Sequence, residues 1–189
     1  MGRITQVLAV FALGACIATD VRADMQRQDV TPQTAVISFS ATYLSFFETQ
    51  GGFRVFSGWF EADPAAPENT KAELVIDADS LFCDEPDWQE DLEGPDFFDV
   101  QRFPEIRFVA RSVVRTREGR GRMTGDLTIR GITRTVTFQL EYSEAVLPGG
   151  RREITRIDAQ TSIDRTQFGM TAWDMVLSDE VEIRMVVEP

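Results

Sequence analysis

Acidic side chains that could perform acid/base chemistry are concentrated in one short segment. Eight carboxylates lie between positions 84 and 99: Asp84, Glu85, Asp87, Glu90, Asp91, Glu93, Asp96 and Asp99. Two facing carboxylates could hydrolyse a glycoside, one as acid and the other as base or nucleophile. On a short helix, however, such acids more often form a solvated face whose charge is stabilised near the helix N-terminus. We therefore keep glycoside hydrolysis as a distant alternative and predict no catalytic residues.

The chain of 189 residues contains no histidine. This excludes catalytic triads that use imidazole as the base, and also metal centres and pH switches built on histidine. The sequence also has no GxGxxG, P-loop, GxSxG or CxxC motif. We therefore expect a protein that is not an enzyme and that holds neither a cofactor nor a metal ion.

Arginines are concentrated in a second segment, between positions 107 and 134. They are Arg107, Arg111, Arg115, Arg117, Arg120, Arg122, Arg130 and Arg134. Guanidinium groups bind diphosphates and carboxylates in a bidentate way, so this segment could hold an anionic head group. Alternation along a hairpin would instead send most of these side chains to solvent, which is the interpretation we favour. Asp164 and Arg165 are similarly interpreted as a structural ion pair or as part of a turn.

The net charge of the whole chain is −12, which argues against a nucleic-acid partner. The 43% hydrophobic content is typical of a globular chain that can bury a core. Two cysteines are present, Cys16 and Cys83. If the N-terminal segment is removed, Cys83 is left without a partner for an intramolecular disulfide, and we interpret it as a small buried hydrophobic side chain.

The N-terminal segment has the features of a secretory signal. A positive start at Arg3 precedes an apolar stretch over 7–18 that is too short to span a bilayer. Small residues at Val21 and Ala23 predict cleavage after residue 23, which would give a periplasmic mature chain without a transmembrane segment. Because residues 13–16 resemble a lipobox, a lipoprotein anchored through Cys16 is the minor alternative.

The rest of the chain shows hydrophobic alternation with a period of two, which is typical of strands with one buried face. Between 135 and 142, for example, Val136, Phe138, Leu140 and Tyr142 alternate with polar residues. The same pattern recurs at 35–44, 53–60, 72–78, 106–110, 126–130, 157–163 and 181–187. Polar outer faces predict an antiparallel sheet that closes on itself, or a sandwich.

Turns and one helical segment are predicted between these strands. Glycines at 51–52, 118–121, 130–131 and 148–150 indicate turns. Pro86, followed by acidic residues, predicts a short helix over about 86–93, broken by Gly94 and Pro95 and followed by a further helical turn.

Three blocks of sequence, in the same order, resemble the YceI-like domain. They are residues 92–108 (LEGPDFFDVQRFPEIRF), 125–136 (GDLTIRGITRTV) and 163–170 (IDRTQFGM), and the strand at 181–185 is similar to the closing strand of that domain. The resemblance implies an all-β fold: an extended, lipocalin-like antiparallel barrel of eight strands with a helical insertion at about 86–101. It also implies one domain, residues 24–189, after a signal peptide of residues 1–23.

The resemblance implies a function as well. Members of this family are typically exported bacterial proteins, and some bind polyisoprenoid chains or other long-chain lipids. We therefore expect non-enzymatic binding, sequestration or transport of a long-chain isoprenoid, of the quinone or prenyl phosphate type, or of a similar amphiphilic lipid. The alternative is a structural or protein-interaction barrel with a filled core. Pairing of two copies as a homodimer stays open.

Inward-facing apolar side chains would form the binding cavity in such a barrel. An eight-stranded barrel can either be filled by its own side chains or hold one slender ligand. The predicted lining residues are Phe39, Phe60, Leu74, Ile76, Phe97, Phe98, Phe103, Phe108, Leu127, Ile129, Phe138, Leu140, Phe168, Ile183 and Met185. The phenylalanines at 97, 98, 103 and 168 could line the cavity mouth or fix the helical segment against the barrel.

Overall fold

A computed structural model describes residues 26–62, 66–150 and 152–189. These residues form a single antiparallel sheet with one short α-helix, so the all-β prediction is confirmed. The strands are β1 (Gln26–Val30), β2 (Ala35–Tyr43), β3 (Phe47–Phe53), β4 (Phe56–Ala62), β5 (Lys71–Asp77), β6 (Leu81–Cys83), β7 (Glu105–Arg117), β8 (Arg120–Ile129), β9 (Ile132–Val146), β10 (Arg152–Asp164) and β11 (Leu177–Val187). The predicted signal peptide and Cys16 lie outside the described residues.

The sheet curls until its two ends meet. Its hydrogen-bonded order is β1-β4-β5-β7-β8-β9-β10-β11-β2-β3-β6. β3 and β4 are consecutive parts of the chain, separated by Arg54 and Val55. The Arg54 N–H donates to the Ser80 carbonyl at 3.1 Å and the Asp77 N–H donates to the Val55 carbonyl at 3.0 Å, so pairing continues across this break. The first strand of the order, β1, pairs with β4, and the last, β6, pairs with β3. Both ends of the sheet therefore meet at one continuous segment, Phe47–Ala62.

Eleven strands are present where eight were predicted. The difference arises because three long strand paths are each interrupted, between β1 and β2, between β3 and β4, and between β5 and β6. β1 and β2 pair with the same path, β1 with β4 and β2 with β3. β5 and β6 pair with its other side. Eight strand paths thus enclose the interior, but a turn, a two-residue break or a 3-10 helix (Ala78–Ser80) divides three of them.

The glycines at 51–52 do not form the predicted turn. Both lie within β3, and the chain reverses instead at Leu44 and Ser45, whose φ angles are 50° and 69°. A Cβ on Gly51 would lie 2.4 Å from the Phe39 ring and 2.5 Å from the Phe82 carbonyl oxygen. Glycine is needed at position 51 because the Phe39 ring and the neighbouring strand approach its backbone too closely for any side chain.

The turn predicted at Arg130 and Gly131 is confirmed. These two residues join β8 to β9, and their φ angles of 52° and 70° are those of a two-residue hairpin turn with both central residues in the left-handed region. Residues 118–119 and 147–150 also form connections between strands, at the other end of the sheet.

The helical insertion lies at one end of the curled sheet, which we call the capped end. A 3-10 helix (Pro86–Trp88) continues into α1 (Gln89–Glu93), which ends at Gly94 as predicted. Turns follow, and Leu92, Phe97 and Val100 are buried. The Arg130 side chain donates to the Phe97 carbonyl at 2.5 Å and to the Gly169 carbonyl at 3.1 Å, so the β8–β9 turn is tied to the insertion. We call the opposite end, with the connections at 118–119 and 147–150, the far end.

Helices in the described part of the chain are too short or too polar to cross a bilayer.

Candidate functional site

An apolar cavity of about 220 Å³ lies inside the curled sheet. It exists because every strand path sends alternate side chains inward, and those side chains are mainly aliphatic or aromatic. Near its middle, the rings of Phe108 and Phe138 meet edge to face, with centroids 5.2 Å apart. β10 contributes Ala159 to the lining, between Leu140 of β9 and Met185 of β11. The arrangement can take up a hydrocarbon chain.

Most of the predicted lining residues do line this cavity. They are Phe39, Phe60, Leu74, Ile76, Phe97, Phe98, Phe108, Leu127, Ile129, Phe138, Leu140, Ile183 and Met185. Their contact with a ligand stays a prediction. Alternation alone was enough to place those on strands, since an inward position on a curled sheet faces the interior.

Phe103 and Phe168 were expected to belong to this set, and the structure places both elsewhere. Phe168 ends a 3-10 helix (Arg165–Phe168) and is fully buried in the packing around the cavity. The ring of Phe103 lies close to Gly131 and beneath the guanidinium of Arg102. Phe103 follows a turn and Phe168 lies in a 3-10 helix, so alternation does not determine which way either side chain points. Neither belongs to the cavity lining, and their role in fixing the helical segment stays a prediction.

Aromatic rings close the cavity at the capped end. Trp88 of the insertion meets Tyr43 and Trp173 edge to face, with centroids 4.9 Å and 5.3 Å away, and Phe97 meets Trp173 at 5.1 Å. Trp173 has a left-handed backbone, with φ of 57°. The sequence analysis missed Trp88 and Trp173 as lining residues. The available signal was their position, since Trp88 lies in the insertion and Trp173 follows the third family block by three residues.

Arg165 holds the capped end together from inside. Its side chain is 2% exposed, and it does not pair with Asp164. Its N–H groups donate to the carbonyls of Met170, Ala172, Leu177 and Ser178 and to the Asp179 carboxylate, over 2.6–3.3 Å. All five N–H groups of the guanidinium are therefore occupied. Asp164 instead accepts from the hydroxyl and the backbone N–H of Thr166, which makes it part of a turn, and these hydrogen bonds, chiefly the one from the hydroxyl, lower the pKa of its carboxyl.

The arginine-rich segment mostly faces outward, as we favoured. Arg107, Arg111 and Arg120 form ion pairs with Glu73, Asp126 and Glu141, and all three arginines are about half exposed or more. Arg130 instead bonds to the insertion, and Arg115 is the other exception. It lines the far end of the cavity, where its guanidinium lies 4.0 Å from Glu144, and Glu144 also pairs with Arg152 at 3.1 Å.

The acid-rich segment does not supply a carboxylate to the cavity. Among the described residues, the carboxylates that line it are Glu73 and Glu144, and each is paired with an arginine. Cys83 also lines the cavity, with its Sγ 3.0 Å from the Glu85 carbonyl oxygen. Partial burial raises the pKa of this thiol, and the carboxylates of Asp84 and Glu85 raise it further, which favours the protonated form.

These features define a class of protein in which a curled antiparallel sheet surrounds an apolar cavity and a short helical insertion caps one end. A model of the YceI-like domain matches residues 29–189, and the chain belongs to this family. A UPF0312 protein of Pseudomonas putida (strain W619) is 30% identical over 171 residues, which cover 88% of each chain.

Two solved structures show the same fold. BcnA of Burkholderia cenocepacia superposes with a TM-score of 0.73 at 24% identity, over 84% of this chain and 98% of that one. A polyisoprenoid binding domain from Saccharophagus degradans, implicated in plant cell wall breakdown, superposes with a TM-score of 0.59 at 14% identity, over 87% of this chain and 99% of that one.

Proposed function

We propose that this protein binds one long-chain isoprenoid, or a similar amphiphilic lipid, inside the curled sheet and does so without catalysis. The observation that carries the proposal is the cavity of about 220 Å³ with its mainly apolar lining. Each methylene group that enters it leaves water with a gain of about 0.8 kcal/mol. A tail of a dozen carbons thereby gains enough free energy to offset much of the cost of association, which is about 4–15 kcal/mol.

Family membership supports the same proposal. The domain of Saccharophagus degradans that shares this fold is a polyisoprenoid binding domain. Because that domain is 14% identical to this chain, the comparison supports the fold alone. The choice of ligand for the present chain rests on the cavity itself. We further propose that the ligand is sequestered or carried in the periplasm after export through the N-terminal signal. The mass of the mature N-terminus would distinguish cleavage after residue 23 from lipidation at Cys16.

A second candidate function is a structural or protein-interaction barrel, alone or as a homodimer, whose interior is filled by side chains. The cavity inside the sheet, which Ala159 helps to line, speaks against this alternative. Ala159 is fully buried and pairs with Leu140 on β9 and Met185 on β11, and both of these residues line the cavity. A larger side chain at 159 would therefore point into the cavity.

Filling the cavity is the direct test. Ala159→Phe should weaken binding of a hydrocarbon-tailed fluorescent probe at least tenfold, because the new ring occupies the space of the tail. Gln160→Phe, the adjacent outward position on β10, is the matched control and should bind like the unmodified protein. Circular dichroism and the thermal midpoint would establish that both variants are folded. A folded Ala159→Phe variant that binds the probe unchanged would overturn the proposal.

A further inference from the structure

One polar atom in the cavity wall has no partner. The Oγ1 atom of Thr49 is buried and makes no hydrogen bond within the described residues. Thr49 lines the cavity. Gln28 Oε1 is also buried and unpartnered, but Gln28 does not belong to the lining. A buried hydroxyl without a hydrogen bond costs about 1–3 kcal/mol, so such an atom in a cavity wall indicates that a ligand can supply the missing partner.

Thr49 lies in the capped half of the cavity. It pairs with Ala41 on β2, and the neighbouring inward position on β3 is Gly51, which pairs with Phe39 and Cys83. The rings of Phe39, Phe53 and Phe98 lie within 5.8–6.4 Å of one another on this side of the cavity. The hydroxyl thus lies on the aromatic side of the cavity, where the Cys83 thiol is a second, weakly polar group of the lining, and these surroundings suit a flat and uncharged head group.

The charges around the cavity exclude an anionic head group at this end. Arg165 is the arginine that lines the capped end, and all five of its N–H groups already have acceptors. The insertion beside it carries the acid-rich segment, which would repel an anion. The other charged lining residues are Arg115 and Glu144, which lie at the far end, and Glu73, whose carboxylate is paired with Arg107.

We propose that the Thr49 hydroxyl donates a hydrogen bond to an uncharged oxygen acceptor, such as a carbonyl, in the head group of the ligand. The head then lies at the capped end and the tail extends toward the far end. This inference rests on the proposed function and deepens it, because it selects neutral, carbonyl-bearing amphiphiles over prenyl phosphates and assigns the direction in which they lie in the cavity.

The first test removes the hydroxyl while keeping the shape of the side chain. Three probes that share a ten-carbon chain are compared: a decyl-substituted benzoquinone, decyl phosphate and decylbenzene. Thr49→Val should weaken binding of the quinone about three- to tenfold, the usual value of one hydrogen bond, and leave decylbenzene within twofold. Thr42→Val, at an exposed position of the adjacent strand, is the matched control and should change neither affinity.

The second test uses the tryptophans to establish the direction of the head group. The chain has three tryptophans, with Trp88 and Trp173 at the capped end, and Trp59 on β4 lining the cavity away from them. A bound quinone quenches the fluorescence of tryptophans close to it. The Trp59→Phe variant keeps the two tryptophans of the capped end, and its fluorescence should be strongly quenched at saturation. The Trp88→Phe, Trp173→Phe double variant keeps Trp59 alone, and its fluorescence should be quenched only weakly.

The outcomes separate the two proposals. If none of the three probes binds, the proposed function fails and the inference fails with it. If decylbenzene and the quinone bind but Thr49→Val changes neither, or if quenching is confined to Trp59, the inference alone is overturned. It is also overturned if decyl phosphate binds more tightly than the quinone and Arg115→Gln abolishes that preference.

Discussion

Arg165 is the residue on which the capped end depends most. It is a charged side chain at 2% exposure, and it holds four carbonyl groups and one carboxylate from the segment 170–179. The sequence predicted a structural ion pair or a turn for Asp164 and Arg165. Asp164 is part of a turn, as one of these alternatives had it, and Arg165 bonds elsewhere because the fold brings residues 170–179 around its guanidinium.

Replacing Arg165 should therefore be costly. Arg165→Met leaves buried carbonyl groups without donors and should lower the free energy of unfolding by about 3–5 kcal/mol, as expected when one partner of a buried charged network is removed. Urea denaturation measures this change. Arg122→Met, at an exposed position of β8, is the control and should change stability by less than about 0.5 kcal/mol. A loss below 1 kcal/mol for Arg165→Met would contradict the structural role.

Acid should destabilise the protein through its paired aspartates. A hydrogen bond from Arg184 lowers the pKa of Asp158, and one from Arg111 lowers that of Asp126. A carboxyl whose folded pKa is lowered contributes stability above its unfolded pKa of about 3.9, and this contribution is lost as the pH falls through the folded value. Urea midpoints should accordingly fall as the pH is lowered below about 4.

The variant Asp158→Asn should make that acid dependence shallower, because its carboxyl no longer titrates. Since the chain has no histidine, stability between about pH 6 and 8 should change little. Equal slopes below pH 4 in the variant and the unmodified protein would show that Asp158 contributes nothing to the acid response.

At the scale of elements, hydrogen bonds of the Arg130 and Gln89 side chains attach the insertion to the sheet. The Arg130 guanidinium, from the β8–β9 turn, bonds to the carbonyls of Phe97 and Gly169 and so joins two parts of the capped end. Arg130→Met should raise hydrogen exchange of the amides in 94–103 about tenfold, because hydrogen bonds to a charged group contribute about 1.5–3 kcal/mol. Mass spectrometry of the exchanged peptides measures this effect.

The control for that experiment is Arg134→Met. Arg134 is exposed, and its guanidinium bonds to the carbonyl of the adjacent Thr133. Exchange in 94–103 should not change in this variant. If exchange rises equally throughout the sheet in Arg130→Met, the arginine stabilises the whole fold and does not specifically fix the insertion.

Alternation in the sequence was enough to predict most elements, and Gly51 shows why some predictions failed. A period of two identifies which residues face inward, and the strand residues that it selected lie in the cavity wall, while their contact with a ligand stays a prediction. It does not show where a long strand path is interrupted. The interruptions after Val30, Phe53 and Asp77 were therefore not predicted. Nor does it show that the Phe39 ring occupies the place of a side chain at 51, since that contact depends on strand register.

At the scale of the whole molecule, the apolar interior is the feature that accounts for the proposed function. A cavity that binds a tail by burial needs no catalytic group, and the charges near it are held in ion pairs or in the hydrogen bonds of Arg165. The resemblance to the YceI-like domain predicted this architecture. The polar detail within it, at Thr49 and around Arg165, became visible only when strand register brought distant residues together.

The central claim is that the interior holds one lipid. The most direct measurement is native mass spectrometry of the full chain, purified from its own cells without detergent, followed by solvent extraction and identification of the extract. The account predicts one extractable lipid with a long apolar tail per protein molecule, and much less of it in the Ala159→Phe variant. A protein that arrives empty, and that then takes up no quinone, prenyl phosphate or hydrocarbon-tailed probe in titration, would contradict it.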